Sequence, residues 1–453
     1  MGRENSMLQR NGDVSVGLAD QNAPAPEELT HGRALSSRDR GRAAWTCLTA
    51  ISVISMVTWG FGASQGVFRE HYFKSGPFKG NQLVASIGLL VVGILQSLSP
   101  FTLKLITTYP HVRFYMMWAG MVLVVASTLG AAFAATAVQV IMTQGLMYGI
   151  SSSLLFAPCI SFVDEWFLER RGLANGIFFA APNIASAVYS PIYSILLDKF
   201  GPRKTLIGWA VFSGVVLPLA ILCVRPRHPS TRRVGSDSQQ TKPSSMKLFR
   251  KPLLWLFVLS MALQSLANNI PANYLPSYAT DLGVSSSNAA LLVTYLSLSG
   301  VVGQPLAGAL TDAVGPRIPL LLSTLVSTFA VLVVWGLGKE YWTMIIVSLL
   351  FGAFAFSFMV LRSHMAAIVV DDMENEGDEL LVSGILLMTR GLVGVASGYV
   401  AAAILQNTES IGIQPGYGAG KWRTFIIFQG AVMAASTIGI LGMLRKKKAQ
   451  TAS

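Results

Sequence analysis

The chain has 453 residues, of which 12% are charged and 52% hydrophobic, with a formal net charge of +12. A soluble domain carries about 25% charged residues, so this composition, with a mean hydropathy of +0.53, excludes an ordinary soluble protein. Nucleic-acid binding is excluded too, because that needs basic residues interleaved with aromatics on a soluble face, and here the basic residues flank apolar blocks.

Residues 1–42 form a polar tail without a short apolar core and small-residue cleavage site, so no signal peptide is expected. Twelve nearly uncharged apolar blocks follow, each about as long as the 20 residues a helix needs to cross roughly 30 Å of hydrocarbon. They span 43–68, 82–103, 114–135, 138–163, 172–196 and 204–224, then 252–276, 288–311, 317–337, 341–370, 380–406 and 423–444. Between the sixth and seventh, residues 225–251 are rich in Ser, Pro and basic side chains, a composition that buries too little apolar surface to fold alone. The predicted class is an all-α integral membrane protein with twelve transmembrane helices. Its parts are an N-terminal six-helix bundle (43–224), a linker (225–251), a C-terminal six-helix bundle (252–444) and a basic tail (445–453).

Lys and Arg are retained on the cytoplasmic side of short loops. Placing both termini in the cytoplasm puts 23 of the 34 Lys and Arg there and nine opposite, with Arg362 and Arg390 inside the membrane. The expected location is therefore the cell membrane, multi-pass, with tail, linker and C-terminus cytoplasmic. Cys47, Cys159 and Cys223 each fall inside an apolar block, and the five His are scattered. Metal centres and disulfide frameworks need close-spaced Cys or His, so no metal and no cofactor are expected. No paired His, Asp or Ser constellation marks an enzyme, and the chain is expected to function as a monomer in the bilayer.

Two stretches share Asp-x-x-Gly-Pro-Arg: Asp198 to Arg203, and Asp312 to Arg317. In each, Gly-Pro makes a tight turn and starts a helix, where the missing Pro N–H costs nothing. The topology places them on opposite sides of the membrane, Asp312 near the start of the ninth helix on the cytoplasmic side. The equivalent slot of the first half, Ser99 to Arg113, lacks both the acid and the Gly.

The run GALTDAVGPR (Gly308 to Arg317) resembles the G-x-L-x-D-x-x-G-x-R signature of the major facilitator superfamily. The six-plus-six layout resembles that superfamily as well, in which each half is two inverted three-helix repeats and the substrate site lies between the halves. This implies a cytoplasmic gate latched by charge pairing through Asp312 and Arg317, with Gly308 and Gly315 shaping the turn. Four further runs are similar to the fungal monocarboxylate-transporter-like family: Thr58 to Tyr72, Phe78 to Gln96, Glu165 to Ala180 and Tyr274 to Ser285. The third run carries Arg170 and Arg171 at the family's basic pair, which adds them to the gate. The chain departs from the family at Gln304, where a basic residue is common, and at Gly300, where animal lactate-type members have an Asp. The machinery for proton and carboxylate is missing from its usual place.

Within the apolar blocks no Asp or Glu occurs, and the ionisable candidates are Arg362, His364 and Arg390. Burying Arg near a helix centre costs about 2.5–3.5 kcal/mol. Arg390 therefore either faces the cavity, where a guanidinium pairs with carboxylates, or bonds backbone carbonyls or snorkels to the cytoplasmic face. Arg362 either snorkels to the cytoplasmic headgroups or lines the cavity; His364 is either inert or a proton carrier. Gln65, Asn183, Tyr189, Asn268, Asn269, Tyr295 and Gln304 are the neutral candidates for substrate binding, with interhelical glue as the alternative role. Small residues at Gly172 to Ala187 and at Gly391 to Gly398 permit close helix approach. The acidic run Asp371 to Glu379 is either a solvated loop or a contact for the basic tail at Arg445 to Lys448.

The leading expectation is a secondary active or facilitative transporter of a small organic, anionic or carbonyl-rich solute, working by alternating access, with efflux of a fungal secondary metabolite ahead of other roles. The alternatives are proton-coupled uptake of a monocarboxylate or polyol, which adds protons as a co-substrate, and a transporter-like nutrient receptor.

Overall fold

The computed structural model describes residues 39, 41–74, 87–227, 248–370, 376–408 and 412–450. Among them, eleven helical runs are long and apolar enough to cross a membrane. They are α1 (Arg42–Tyr72), α2 (Ile87–Thr108), α3 (Val112–Ala132), α4 (Ala137–Trp166), the run Arg171–Cys223, α7 (Pro252–Asp281), α8 (Ser286–Val314), α9 (Arg317–Trp335), α10 (Tyr341–Val370), α11 (Asp378–Gln406) and α12 (Arg423–Leu444). The 53-residue run is two helices, because Gly201 (φ 75°, ψ 172°) leaves helical geometry and Pro202 restarts it. It divides into α5 (171–200) and α6 (202–223), so the twelve expected helices are present. The loop expected between residues 196 and 204 shrinks to a single residue.

Local chemistry explains the other helix ends. Thr136 and Gln139 form a reciprocal capping box at the start of α4, Ser285 caps α8, and Pro252 opens α7. Gly315 (φ 83°, ψ 169°) ends α8 in the same conformation as Gly201. The two Gly-Pro turns therefore match in backbone, and they lie at opposite ends of the bundle. The start of α5 abuts the end of α8 at Gly172 and Gly308, whereas Gly201 terminates α5.

The surface is apolar outside and the polar groups are inside. Val211, Val215, Leu219 and Leu222 form an outward ridge on α6, each more than half exposed, while Gln264, Gln429, Ser213 and Thr324 are fully buried. That inversion suits a lipid surround, where every backbone polar group is satisfied within a helix. The N-terminal bundle has one core, with Phe61 stacked on Trp209 at 5.1 Å between ring centroids. The C-terminal bundle has two cores, one around Tyr278, Trp335, Trp422 and Phe425, the other around Phe257, Phe358 and Met365. The bundles meet along α5–α8 and α2–α11, where glycines allow contact. A Cβ at Gly391 would lie 2.7 Å from the Gly93 carbonyl, and one at Gly384 would lie 2.7 Å from Pro100.

Among the described residues five helices contain π or 3₁₀ turns, α1, α4, α9, α10 and α12, and those of α1 and α10 bear on the site. In α1 the π-helical turn Met56–Gly60 leaves the Val57 carbonyl to accept the Tyr148 hydroxyl at 2.8 Å. In α10 the stretch Phe356–Leu361 is 3₁₀. The carbonyls leading into it are taken by side chains of other helices: Phe354 by Ser323 (2.7 Å), Ala355 by Gln264 (2.9 Å) and Phe356 by Gln304 (3.1 Å). Side chains that insert into the helical ladder in this way bend a helix. Cys47 and Cys159 are buried and Cys223 is exposed, and all three are free. The expected linker falls largely on residues 228–247 and most of the N-terminal tail on 1–38, outside the described residues.

The conformation of Gly201 and Gly315 is essentially reserved for glycine and costs other residues about 1–3 kcal/mol. Gly201→Ala and Gly315→Ala should each destabilise the purified protein by about 1–3 kcal/mol, read as a lower melting temperature. Gly66→Ala, helical with open space around its Cβ, should not. Equal melting of all three variants would contradict this account of the turns.

Candidate functional site

The first residues of a helix have backbone N–H groups without an intrahelical partner, and the N-terminal end carries partial positive charge. At the start of α5 the Asp312 carboxylate, reaching from the last turn of α8, accepts from the N–H of Gly172 (2.7 Å) and of Leu173 (2.8 Å). Its helix partner is thus α5 of the opposite bundle and not α9, whose start was the expected neighbour. The approach depends on small residues. A Cβ at Gly308 would overlap the Gly172 carbonyl, and one at Gly176 would lie 2.7 Å from Pro305.

Arg171, one residue before this contact, donates to Asp164 of its own bundle at 2.8 Å and pairs with Glu379 of α11 in the other bundle. Asp39 braces the same loop from the other side. Its carboxylate accepts the backbone N–H groups of Leu168 (3.0 Å), Glu169 (3.1 Å) and Arg170 (2.9 Å). His364 Nε2 lies 4.0 Å from Asp312 Oδ1, and its Nδ1 has no hydrogen-bond partner among the described residues.

Arg362 does not snorkel. It is fully buried, with Nη2 3.5 Å from Asn175 Oδ1 and the guanidinium carbon 5.7 Å from the centre of the Phe179 ring, both on α5. Its Nε and Nη1 have no hydrogen-bond partner among the described residues. It therefore belongs to the joint between bundles, together with Asp312, Arg171 and Gly308. Two expected members stand apart. Arg317 donates to the Met443 carbonyl in α12 at 2.9 and 3.2 Å and does not pair with Asp312; Arg170 exposes its side chain. Of the acidic run, Glu379 meets Arg171 on α5; residues 371–375 and the side chains of 445–448 lie outside the described residues.

A second group sits midway along the helices. Arg390 of α11 donates through Nη1 to Gln264 Oε1 of α7 at 2.6 Å, and no described carboxylate lies within ion-pair distance of it. The residue is only partly buried. Gln264 Nε2 donates onward to Asn268 Oδ1 (3.0 Å) and to the Ala355 carbonyl of α10 (2.9 Å). Asn269 follows Asn268, whose Nδ2 reaches it at 3.4 Å. Asn183 of α5 donates to Gln304 Oε1 of α8 at 3.1 Å, an amide bridge between the bundles. Gln65 instead accepts from Gln144 of α4 at 2.7 Å, within the N-terminal bundle. Tyr189 packs against Trp209 of α6, and Tyr295 against the extended core around Tyr278. The expected set therefore separates into a group around Arg390, an interbundle amide pair, and residues packed within one bundle. Asn175, Gln264 and Asp39 were not expected. Asn175 and Gln264 are single amides in apolar runs, a signal shared with many structural amides.

The sequence profile of the Major Facilitator Superfamily matches residues 80–398 and 258–452. The chain belongs to that superfamily. It is 25% identical over 440 residues to the MFS transporter asaE of Aspergillus flavus, covering 95% of this chain and 92% of that one. It is also 25% identical over 318 residues to monocarboxylate transporter 3 of Rattus norvegicus, covering 68% of this chain and 64% of that one. The solved structure of the MFS proton:xylose symporter XylE matches with a TM-score of 0.66 at 13% identity, over 87% of this chain and 94% of that one, a likeness of fold. As a superfamily member the chain is a multi-pass membrane transporter and not an enzyme. A Cβ at Gly300 would lie 2.8 Å from the Phe356 ring and 3.2 Å from Asn183 Nδ2, so a side chain there would require its neighbours to shift.

Each charge-assisted hydrogen bond of Asp312 contributes about 1.5–3 kcal/mol. Asp312→Ala should shift the bundles toward separation at this joint. Spin labels on cysteines introduced at Arg170 and Val314, both exposed, should report a longer distance in the variant than in the parent by double electron–electron resonance. An unchanged distance distribution would show that the joint does not depend on Asp312.

Proposed function

We propose that this superfamily member is a secondary active or facilitative transporter that moves a small organic, anionic or carbonyl-rich solute by alternating access. The Arg390 group, Gln264, Asn268 and Asn269, forms its substrate contact, and the joint around Asp312, Arg171 and Gly308 forms its cytoplasmic gate. The observation that carries this reading is the guanidinium of Arg390. It lies at mid-helix, is only partly buried and is held by one neutral amide. A cation that costs about 2.5–3.5 kcal/mol to place at a helix centre and has no carboxylate in ion-pair contact among the described residues is suited to receive one. A guanidinium receives a carboxylate with two parallel hydrogen bonds.

Efflux of a fungal secondary metabolite across the plasma membrane, with both termini cytoplasmic, fits best. It is supported by the absence of the monocarboxylate pair at Gly300 and Gln304, while the Aspergillus flavus relative, an MFS transporter, supports transport itself. One observation favours proton coupling as a second reading: His364 faces Asp312 at 4.0 Å, so a proton gained there would alter the charge at the gate.

The test screens small organic acids and their neutral amides for stabilisation of the purified protein. An acid that binds should, at a hundred times its Kd, stabilise by about 2.7 kcal/mol. The gain should vanish in Arg390→Gln and shrink in Arg390→Lys. Equal stabilisation by acid and amide, or an undiminished gain in Arg390→Gln, would overturn the assignment. In proteoliposomes, transport of that acid unaffected by an imposed pH gradient would eliminate the proton-coupled reading.

A further inference from the structure

A crevice of about 340 Å³ opens between α5 and α6, beside the Gly201 turn and at the end of α5 remote from Asp312. Its size falls within the range of small-molecule sites, about 300–1,000 Å³. The walls are aromatic: Trp209 lies 5.1 Å from Tyr189, 5.6 Å from Tyr193 and 5.1 Å from Phe212 between ring centroids. Gly208 keeps the space open, since a Cβ there would meet nothing within 4 Å. Ile192 and Phe212, exposed by 46% and 42%, open the crevice onto the apolar outer surface, next to the ridge of Val211 and Val215.

Polar groups in it are few. The Tyr193 ring is 3% exposed and lines the crevice, and its hydroxyl has no hydrogen-bond partner among the described residues. Lys204 stands at the rim, exposed, and pairs with no carboxylate among the described residues. The neighbouring cation, Arg203, is already seated over the Phe133 ring at 4.5 Å. An apolar crevice, a cation at its mouth that pairs with no carboxylate among the described residues, and an opening onto the apolar outer surface together suit an occupant with one apolar chain and one negative charge.

We propose that this crevice binds a long-chain carboxylate drawn from the surrounding bilayer, with its chain among the rings of Tyr189, Tyr193, Trp209 and Phe212 and its carboxylate on Lys204. The site is independent of the transport reading, because neither Arg390 nor the Asp312 joint contributes to it.

The experiment uses the full chain in lipid nanodiscs, with 9,10-dibromostearate as probe, since bromine quenches a tryptophan it touches. In the parent protein, tryptophan fluorescence should fall saturably. Gly208→Leu, which fills the crevice, should remove the saturable component. Lys204→Gln should weaken binding by about three- to fivefold, the size of an exposed ion pair, and dibromostearyl alcohol should bind the parent as weakly as the acid binds that variant. Lys204→Gln alters one exposed side chain, so its comparison with the alcohol decides the question even where Gly208→Leu folds poorly. Quenching that rises linearly without saturation, or a well-folded Gly208→Leu that quenches like the parent, would overturn the site. Equal binding of acid and alcohol would overturn the carboxylate.

Discussion

Two backbone N–H groups at the start of α5 have no partner in their own helix, and a carboxylate from the opposite bundle takes both. Much of the interbundle contact at that end follows from this pairing of Asp312 with Gly172 and Leu173. A carboxylate reaches a helix end this closely only if the backbones nearly touch, which requires Gly172, Gly176 and Gly308. Once α5 is held there, Arg171 falls between Asp164 and Glu379. One turn further along, Asn175 and Phe179 meet the buried guanidinium of Arg362. A buried Arg without an adjacent carboxylate is costly, and the ring face and amide offset part of that cost.

Helix α10, with its 3₁₀ stretch, connects this joint with the middle of the protein. Its carbonyls at Ala355 and Phe356 are held by Gln264 and Gln304. Those glutamines also contact Arg390 in α11 and Asn183 in α5 respectively. The 3₁₀ stretch begins at Phe356 and ends at Leu361, immediately before Arg362. A mid-helix 3₁₀ segment often marks a hinge. Here it lies between the group at Arg390 and the cation buried at the joint, so a change of winding in six residues would be felt by both.

The fold was legible because its signal is long and repetitive. Twelve apolar blocks separated by charge leave one architecture, and even the matched Gly-Pro turns could be read as turns from Gly201 and Gly315. What pairs with what was harder to read. Asp312 was recognisable as a joint residue, yet the sequence pattern pointed to Arg317 and α9 as its partners. Its actual acceptor contacts are backbone N–H groups 140 and 139 residues away, and a backbone group has no signature in sequence. Arg362 was expected to divide between snorkelling and lining a cavity. Its true place depends on an Asn and a Phe in α5 that only the packing of the two bundles brings near. Arg390 was identified by the cost of an Arg at mid-helix, a rule that holds whatever its neighbours. Its amide partner Gln264 resembles any other polar residue that glues helices together.

Gly201 joins α5 to α6 through a single residue, and their rings pack edge to face along the shared crevice, with Tyr193 and Tyr189 against Trp209. Were the pair to move as one arm, its pivot would be the glycine contact with α8. At 1.5 Å per residue, α5 is about 45 Å long. A tilt of ten degrees at the pivot therefore carries the far end through roughly 8 Å by the same geometry. Displacements too small to notice between Gly172 and Gly308 would become, at the tip, movements the size of a side chain.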